Sequence, residues 1–444
     1  MKWKKLFSKQ RLCRSDSRPE QGRNPFQQDL DRIVFSGSFR RLANKTQVHP
    51  LAENDLIHNR LTHSIETASV GRSLGTIVGS KVIAKEKLKD ITEDEFGYVV
   101  QAACLAHDIG NPPFGHAGET AIGDWFEKEF NNQNSVLHKM PGNKRDEFLK
   151  FEGNAQGFRI LTQLENNKFL GGLQLTYAIL STFTKYPRPA FLLNTLDGQY
   201  IGAKKYGFFS SEQKYYDQIG KTLGLIQKGS SSEGYYCRHP LAFLVEAADD
   251  ICYNIVDLED AVVTRDLQFD EVANLLEKLA GETDYSNHTN EEKIAYLRAK
   301  AIGEAVKQCA ETFMTNYDSI MKGEYSNSLT EDPSNPLKDT FKQMKEKSKE
   351  RIFTSQRKTE LEISGHKIIF GILDTYKEVL VDLANNNWKE NNLSGVSKKL
   401  IRLGELNFSN ATDLYSCTQV ITDFVSGMTD RYASDLFKKL SGNL

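Results

Sequence analysis

The chain has little of what staples or anchors a small domain. Its six cysteines, Cys13, Cys104, Cys237, Cys252, Cys309 and Cys417, are scattered through 444 residues without a CxxC pair. That spacing excludes a zinc knot on thiolate pairs and a dense disulfide framework, and suits reduced thiols in a cytoplasmic protein. Charge of either sign is not in excess: 57 Lys and Arg oppose 59 Asp and Glu, a formal net charge of −2. Without a global basic field, a polyanionic ligand has to be gripped by local cations or by metal. No apolar run reaches membrane-spanning length, and the basic opening MKWKKLFSKQRLCR lacks the continuous apolar core of a signal peptide. No membrane partner is therefore expected. A P-loop, a dinucleotide-binding glycine fingerprint and internal repeats are also missing.

What is present describes a large helical protein, long enough for two or three domains or one continuous core. Residues 1–24 read as a polar, solvated, poorly fixed arm. From Asp29 to Val48, Leu30, Ile33, Val34 and Phe39 suggest a short helix with Arg40 and Arg41 beside it. Leu61, Ile65, Ala68, Leu74 and Ile77/Val78 repeat at helical spacing and predict a helix over 57–83. Thr92 and Glu95 form a capping-box pattern that opens the next helix, whose stripe of Phe96, Val99 and Ala103 runs on to His107. Residues 131–147 are polar with a Pro-Gly pair and read as a loop insertion; 191–236 read as irregular connections. Pro240 is suited to a helix start, and Leu241, Leu244, Ala248, Cys252 and Ile255 give that helix its core stripe. Residues 271–444 read as charged amphipathic helices broken by a loop at 326–339.

The chemistry concentrates in CLAHDIGNPPFGHAGE, from Cys104 to Glu119. His107 and Asp108 end an apolar helical run, and Pro112 and Pro113 stop the helix just beyond them. Imidazole and carboxylate together suit a divalent cation such as Mn, Fe, Zn or Mg. Two neighbouring ligands cannot complete a coordination sphere, so His or Asp residues from other helices are required. His63, on one face with Arg60, is one candidate. Asp249 is another, in line with Tyr253 and Asp257 at i+4 and i+8, and Asp250 takes its place if the register shifts by one. His116 and Glu119 lie three apart, either as a helix-capping contact or as an acid/base pair in which Glu119 orients the ring and raises its basicity.

RLTHS at 60–64, HDIGNPPFGHAGE at 107–119, FEGNAQGFRIL at 151–161, TKYPRPA at 184–190 and EAADDICYNIVDLEDAV at 246–262 resemble, in order, the deoxynucleoside triphosphate triphosphohydrolases of dGTPase type in the HD-domain superfamily. LEISGHKIIFGILDTY at 361–376 and DFVSGMTDRYA at 423–433 extend the likeness more thinly. The resemblance implies an all-α fold: an HD-domain helical core over 25–270 and additional C-terminal helices over 271–444 that complete the nucleotide pocket and make oligomer contacts. It implies His63, His107, Asp108 and Asp249 as ligands of a divalent ion, Mg, Mn or Fe, and His116 with Glu119 as the catalytic acid/base pair. For the substrate it places Gln47 near the deoxyribose, Arg60, Asn154 and Lys185 at the phosphates, Tyr186 in the pocket wall, Tyr253 and Asp257 around the sugar and nearby phosphates, and Glu362 at the nucleotide. The implied reaction releases a deoxynucleoside and inorganic triphosphate from a dNTP, with dGTP the first substrate to expect. A homo-oligomer, hexamer or tetramer, and a nucleotide or single-stranded DNA effector belong to the same picture. An HD-fold phosphodiesterase or 5′-nucleotidase, and a catalytically silent nucleotide- or DNA-binding protein, are the rival readings.

Overall fold

Apolar residues recurring every three or four positions fold almost the whole chain into helices. The computed structural model describes residues 1–14, 22–47, 58–192, 200–229, 234–281, 288–351 and 356–442. Among them the strands are confined to Gln227–Lys228 paired antiparallel with Tyr235–Tyr236, so the class is all-α, as expected. No described helix is long and apolar enough to cross a membrane.

The helix predicted over 57–83 runs Arg60–Glu86, and the capping-box helix runs Glu93–Ala106. The reciprocal cap forms: Thr92 Oγ1 accepts the Glu95 amide at 3.2 Å and Glu95 Oε2 accepts the Thr92 amide at 3.3 Å. Their backbones pack closely because a Cβ on Gly75 would stand 2.7 Å from the Phe96 carbonyl oxygen. Leu74, Val78, Phe96 and Val100 from this pair join Ile251 and Ile255 of helix Ala242–Val263, and Leu297 and Phe313 of helix Asn290–Thr315, in one core. A second core joins Trp125 and Phe126 of helix His116–Asn131 with Ile369, Tyr376 and Val425 from the C-terminal helices. Packing thus cuts across the expected 25–270 and 271–444 regions: helices up to 344 pack with the N-terminal core, whereas His116–Asn131 sits with the C-terminal one.

Two expectations are corrected. The opening of the chain is no solvated arm: Trp3, Leu6, Phe7 and Leu12 are buried, and the Trp3 indole donates to Tyr317 Oη at 2.7 Å. Lysines interrupt that apolar set in the sequence and disguise it, but Lys2, Lys4 and Lys5 are exposed while the stripe turns inward. The 131–147 insertion is likewise ordered, as a 3₁₀ turn Val136–Lys139 and a helix Gly142–Leu149. Leu137, Met140 and Phe148 bury its apolar side, and Pro141 precedes the new helix where its missing amide hydrogen costs nothing. Among its described residues, the 191–236 stretch contains a regular helix the pattern did not predict, Gln213–Leu223.

Arg159 links the two cores. Its guanidinium donates to Glu212 Oε1 at 2.8 Å and to both carboxylate oxygens of Asp423 at 2.8–3.0 Å. Glu212 is fully buried and Asp423 lies on helix Leu414–Gly427. Removing the arginine strands buried carboxylate charge, so Arg159→Met is expected to lose about 3–5 kcal/mol of stability. A thermal or denaturant unfolding midpoint unchanged from the parent would contradict this.

Candidate active site

A cavity of about 380 Å³ opens between the two cores, and every site residue named from the sequence lines it except His63, Asp257 and the alternative ligand Asp250. His63 sits immediately behind the wall, buried, with Nε2 3.1 Å from Asp249 Oδ1. His107 Nε2 approaches the same oxygen at 3.4 Å, so two imidazoles from two helices meet one carboxylate from a third. His107 Nδ1 donates to the Cys104 carbonyl at 2.6 Å, which fixes the ring with Nε2 turned to the cluster. His63, His107 and Asp249 each offer one ligand atom, all within 4.8 Å of one another. Asp108 stands alongside, 3.6 Å from His107 Nε2, with its oxygens engaged by Arg60 Nη1 at 2.7 Å and by the Asn111 amide.

The electrostatics suit a cation at this point. Burial opposes protonation of His107, yet Asp108 and Asp249 outweigh it and hold the imidazole up at about 9. Burial also opposes ionisation of Asp249, but His107 and His63 keep it well below the usual carboxylate range. Asp250 points elsewhere and accepts from Thr330 Oγ1 at 2.7 Å; burial, then the charge of Glu246, push it up to about 7. Between the two neighbouring aspartates, Asp249 is the one that faces the histidines.

The turn that follows carries strain where it passes the cavity. Phe114 and Gly115 both take positive φ, +64° and +59°. Asp430 Oδ1 holds that turn by accepting the Phe114 amide at 3.0 Å, while its Oδ2 accepts the Thr46 amide at 3.0 Å and the Thr46 hydroxyl. Lys45 is buried beside it and donates to the Asn111 and Ser426 carbonyls. Burial, with Arg41 nearby, presses its ammonium down to about 7. The start of the last helix, Asp430–Leu440, therefore fixes the KTQ segment against the Phe114–Gly115 turn. Gln47, last of that segment in the described residues, lines the cavity, and its buried Oε1 has no hydrogen-bond partner among the described residues. Val48 and the residues to 57 lie outside the described residues.

His116 opens the next helix with its ring exposed to the cavity, and Nδ1 lies 2.7 Å from Glu119 Oε2. Glu119 Oε1 accepts the Gly153 amide at 2.7 Å, which ties the pair to FEGNAQG. The hydrogen bond to Glu119 raises the His116 pKa above its ordinary value. Close approach of the two motifs requires Gly110: a Cβ there would stand 2.1 Å from the Gly153 carbonyl oxygen.

Along the same wall, Asn154 donates from Nδ2 to Glu152 Oε1 at 2.6 Å and Lys185 Nζ lies 3.3 Å from Glu246 Oε1. Tyr186 and Tyr253 also line the cavity, and Glu362 reaches it from helix Gln356–Asn385. Asp257 does not line it; the side chain is buried, and its Oδ2 has no hydrogen-bond partner among the described residues. Burial pushes its carboxyl well above the usual range. The sequence reading missed Lys205, which lines the cavity and pairs with Glu152 Oε2 at 2.6 Å, and Lys358, which lines it from the C-terminal side. A lysine in KKYG or QRKTE carries no local signal; only the fold brings them in. His58 was also missed, and it braces the site from outside by bridging Asp260 Oδ1 at 2.7 Å and Glu66 Oε1 at 3.1 Å.

Two histidines and an aspartate converging from separate helices, with His-Asp at the end of one, define an HD-domain protein, and residues 60–155 match the family model described as the HD domain. Over the whole length, the chain is 39% identical to a deoxyguanosinetriphosphate triphosphohydrolase-like protein of Pseudomonas aeruginosa, covering 100% of this chain and 99% of the relative. It is also 39% identical to a protein of that description from Synechocystis sp., with the same coverage. A deoxyguanosinetriphosphate triphosphohydrolase of Salmonella typhimurium is 31% identical over 94% of this chain and 93% of its own length. The chain belongs to the dGTPase-type, deoxyguanosinetriphosphate triphosphohydrolase-like family of HD-domain proteins.

Proposed function

We propose that this protein hydrolyses a deoxynucleoside triphosphate, dGTP first among candidates, to the deoxynucleoside and inorganic triphosphate. The observation that carries the reading is one cavity joining a His/His/Asp cluster, a His–Glu pair and the cationic groups of Arg60, Lys185 and Lys205. His63, His107 and Asp249, with Asp108 alongside, are the residues to hold a divalent ion, Mg, Mn or Fe. When bound, such an ion lowers the pKa of water and polarises a phosphoryl oxygen.

The chain's own residues supply the rest. Arg60, kept in place by Asp108, and Lys185, Lys205 and Asn154 spread the triphosphate charge and hold it for in-line displacement at the α-phosphate. His116 carries a proton for the departing 5′-oxygen, with Glu119 on its far nitrogen. Tyr253 under the sugar disfavours a 2′-hydroxyl, and Gln47 offers an acceptor for a sugar or base donor. Glu362 and Lys358, which line the cavity from helix Gln356–Asn385, are the groups to meet the base. A homo-oligomer, hexamer or tetramer, is part of the same proposal, and Ile363, Val396, Leu403 and Tyr432 exposed on the C-terminal helices suit contacts between copies. A nucleotide or single-stranded DNA effector is part of it too.

Chromatography of the products from each of the four dNTPs, with Mg and Mn compared, tests the reaction. Deoxynucleoside and intact triphosphate are expected in equal amounts. Orthophosphate or a deoxynucleoside monophosphate would instead indicate a phosphodiesterase or nucleotidase, and no turnover with any dNTP across several metals a silent binding protein.

A further inference from the structure

Behind Lys185 and Glu246 of the cavity wall lies a buried arginine, Arg238, to which the proposed reaction gives no role. Glu246, in the helix that carries Asp249, is buried and accepts from Arg238 at both oxygens, Nη1 to Oε2 at 2.6 Å and Nη2 to Oε1 at 3.4 Å. Its Oε1 also faces Lys185 Nζ at 3.3 Å. Arg238 is fully buried, yet it does more than balance Glu246. Its Nε donates to the Lys185 carbonyl at 2.7 Å, and its guanidinium lies 5.6 Å from the Tyr186 ring centre and 5.1 Å from that of Phe243. One arginine thus holds the backbone of Lys185, the ring of Tyr186 and the carboxylate to which the lysine ammonium is drawn.

Charge counting gives the arrangement a purpose. A Lys185–Glu246 pair alone is neutral and offers a polyanion little. Adding the second cation leaves the trio with a net charge of +1, and a carboxylate shared by two partners binds each less completely than it would bind one. Burial opposes ionisation of Glu246, but Arg238 first and Lys185 second hold it down at about 2, so the trio remains charged. Asp249 and Asp250 are the other carboxylates whose charge acts on Lys185; the first is engaged by the histidines and the second by Thr330.

We propose that Arg238 is a positioning residue for the polyphosphate end of the substrate: by holding Glu246 from behind, it fixes Lys185 and Tyr186 and leaves Lys185 available to phosphate oxygens. The inference rests on the triphosphohydrolase reading and adds to it a buried residue that never touches substrate.

The test uses the full-length protein with the divalent ion that supports turnover, and measures binding of inorganic triphosphate by calorimetry beside KM and kcat for the dNTP. Arg238→Met is expected to weaken triphosphate binding and raise KM on the order of tenfold, the scale of one unit charge in a partly buried site, with a smaller fall in kcat. Arg238→Lys, which keeps the charge and loses the fork, should recover part of that loss. Glu246→Gln moves the trio from +1 to +2 and should bind triphosphate at least as tightly as the parent. Weakening in Glu246→Gln equal to that in Arg238→Met would reveal mere structural damage and overturn the proposal. So would unchanged triphosphate binding in Arg238→Met. Should Arg238→Met not fold, Arg238→Lys and Glu246→Gln still differ in the expected direction or contradict it. An unsubstituted protein that neither binds triphosphate nor hydrolyses dNTPs would bring down the functional reading itself, an outcome distinct from failure in the variants.

Discussion

His107→Ala and Asp249→Ala are each expected to lose divalent-ion binding and turnover together. The two side chains come from different helices and present Nε2 and Oδ1 3.4 Å apart, so either substitution removes one corner of the only His/Cys/Asp/Glu cluster among the described residues able to hold an ion. What remains is too little: His63 with Asp249 in the first variant and His63 with His107 in the second, with Asp108 alongside and also held by Arg60 and Asn111. Because a bound divalent ion contributes several kcal/mol through charge stabilisation and water activation, the rate should fall by roughly three orders of magnitude or more. Metal content of the purified variants, measured beside their unfolding midpoints and dNTP turnover, decides the matter. A folded His107→Ala or Asp249→Ala protein that keeps its ion contradicts the ligand set, whatever its activity.

The sequence made much of this centre legible because helix periodicity and side-chain chemistry act locally. The Thr92–Glu95 cap, the stripe ending at His107 and the core face of the Asp249 helix all follow from neighbours within a few residues. What was not legible depends on partners far away. Asp249 and Asp250 lie about 100° apart around the helix, and their roles separate only because His63 and His107 meet one while Thr330 meets the other. Asp257 fell from the expected line for a related reason: eight residues advance the helix by about 80° beyond two full turns, whereas four leave Tyr253 only about 40° off. Tyr253 therefore reaches the cavity and Asp257 turns into the packing. The N-terminal stripe was hidden by interspersed lysines, and Lys205 and Lys358 by the absence of any motif around them. Asp430 shows the same limit, since it holds the Phe114 turn and Thr46 through amides 316 and 384 residues away.

His116→Ala should keep the metal and still lose most of the rate, on the order of 10²–10⁴-fold, the range of a positioned proton donor. The residue is not part of the His/His/Asp cluster, and its ring opens on the cavity with Nδ1 engaged by Glu119. The pH profile tests the role more sharply than the rate alone. The bond to Glu119 raises the His116 pKa, so the protonated ring persists to higher pH than a free imidazole would allow. If that form delivers the proton to the leaving 5′-oxygen, activity is present below the raised pKa and falls as pH rises through it. In Glu119→Gln the amide oxygen can still accept the Gly153 amide, but the amide nitrogen now donates to Nδ1, where the carboxylate used to accept. Protonation of Nδ1 is then opposed, the pKa drops, and the alkaline limb of kcat must move to lower pH. Movement of an acid limb instead would make the neutral ring the active form, positioning water rather than protonating the leaving group. A profile unmoved by Glu119→Gln, with His116→Ala near parental rate, would reduce the pair to a helix cap.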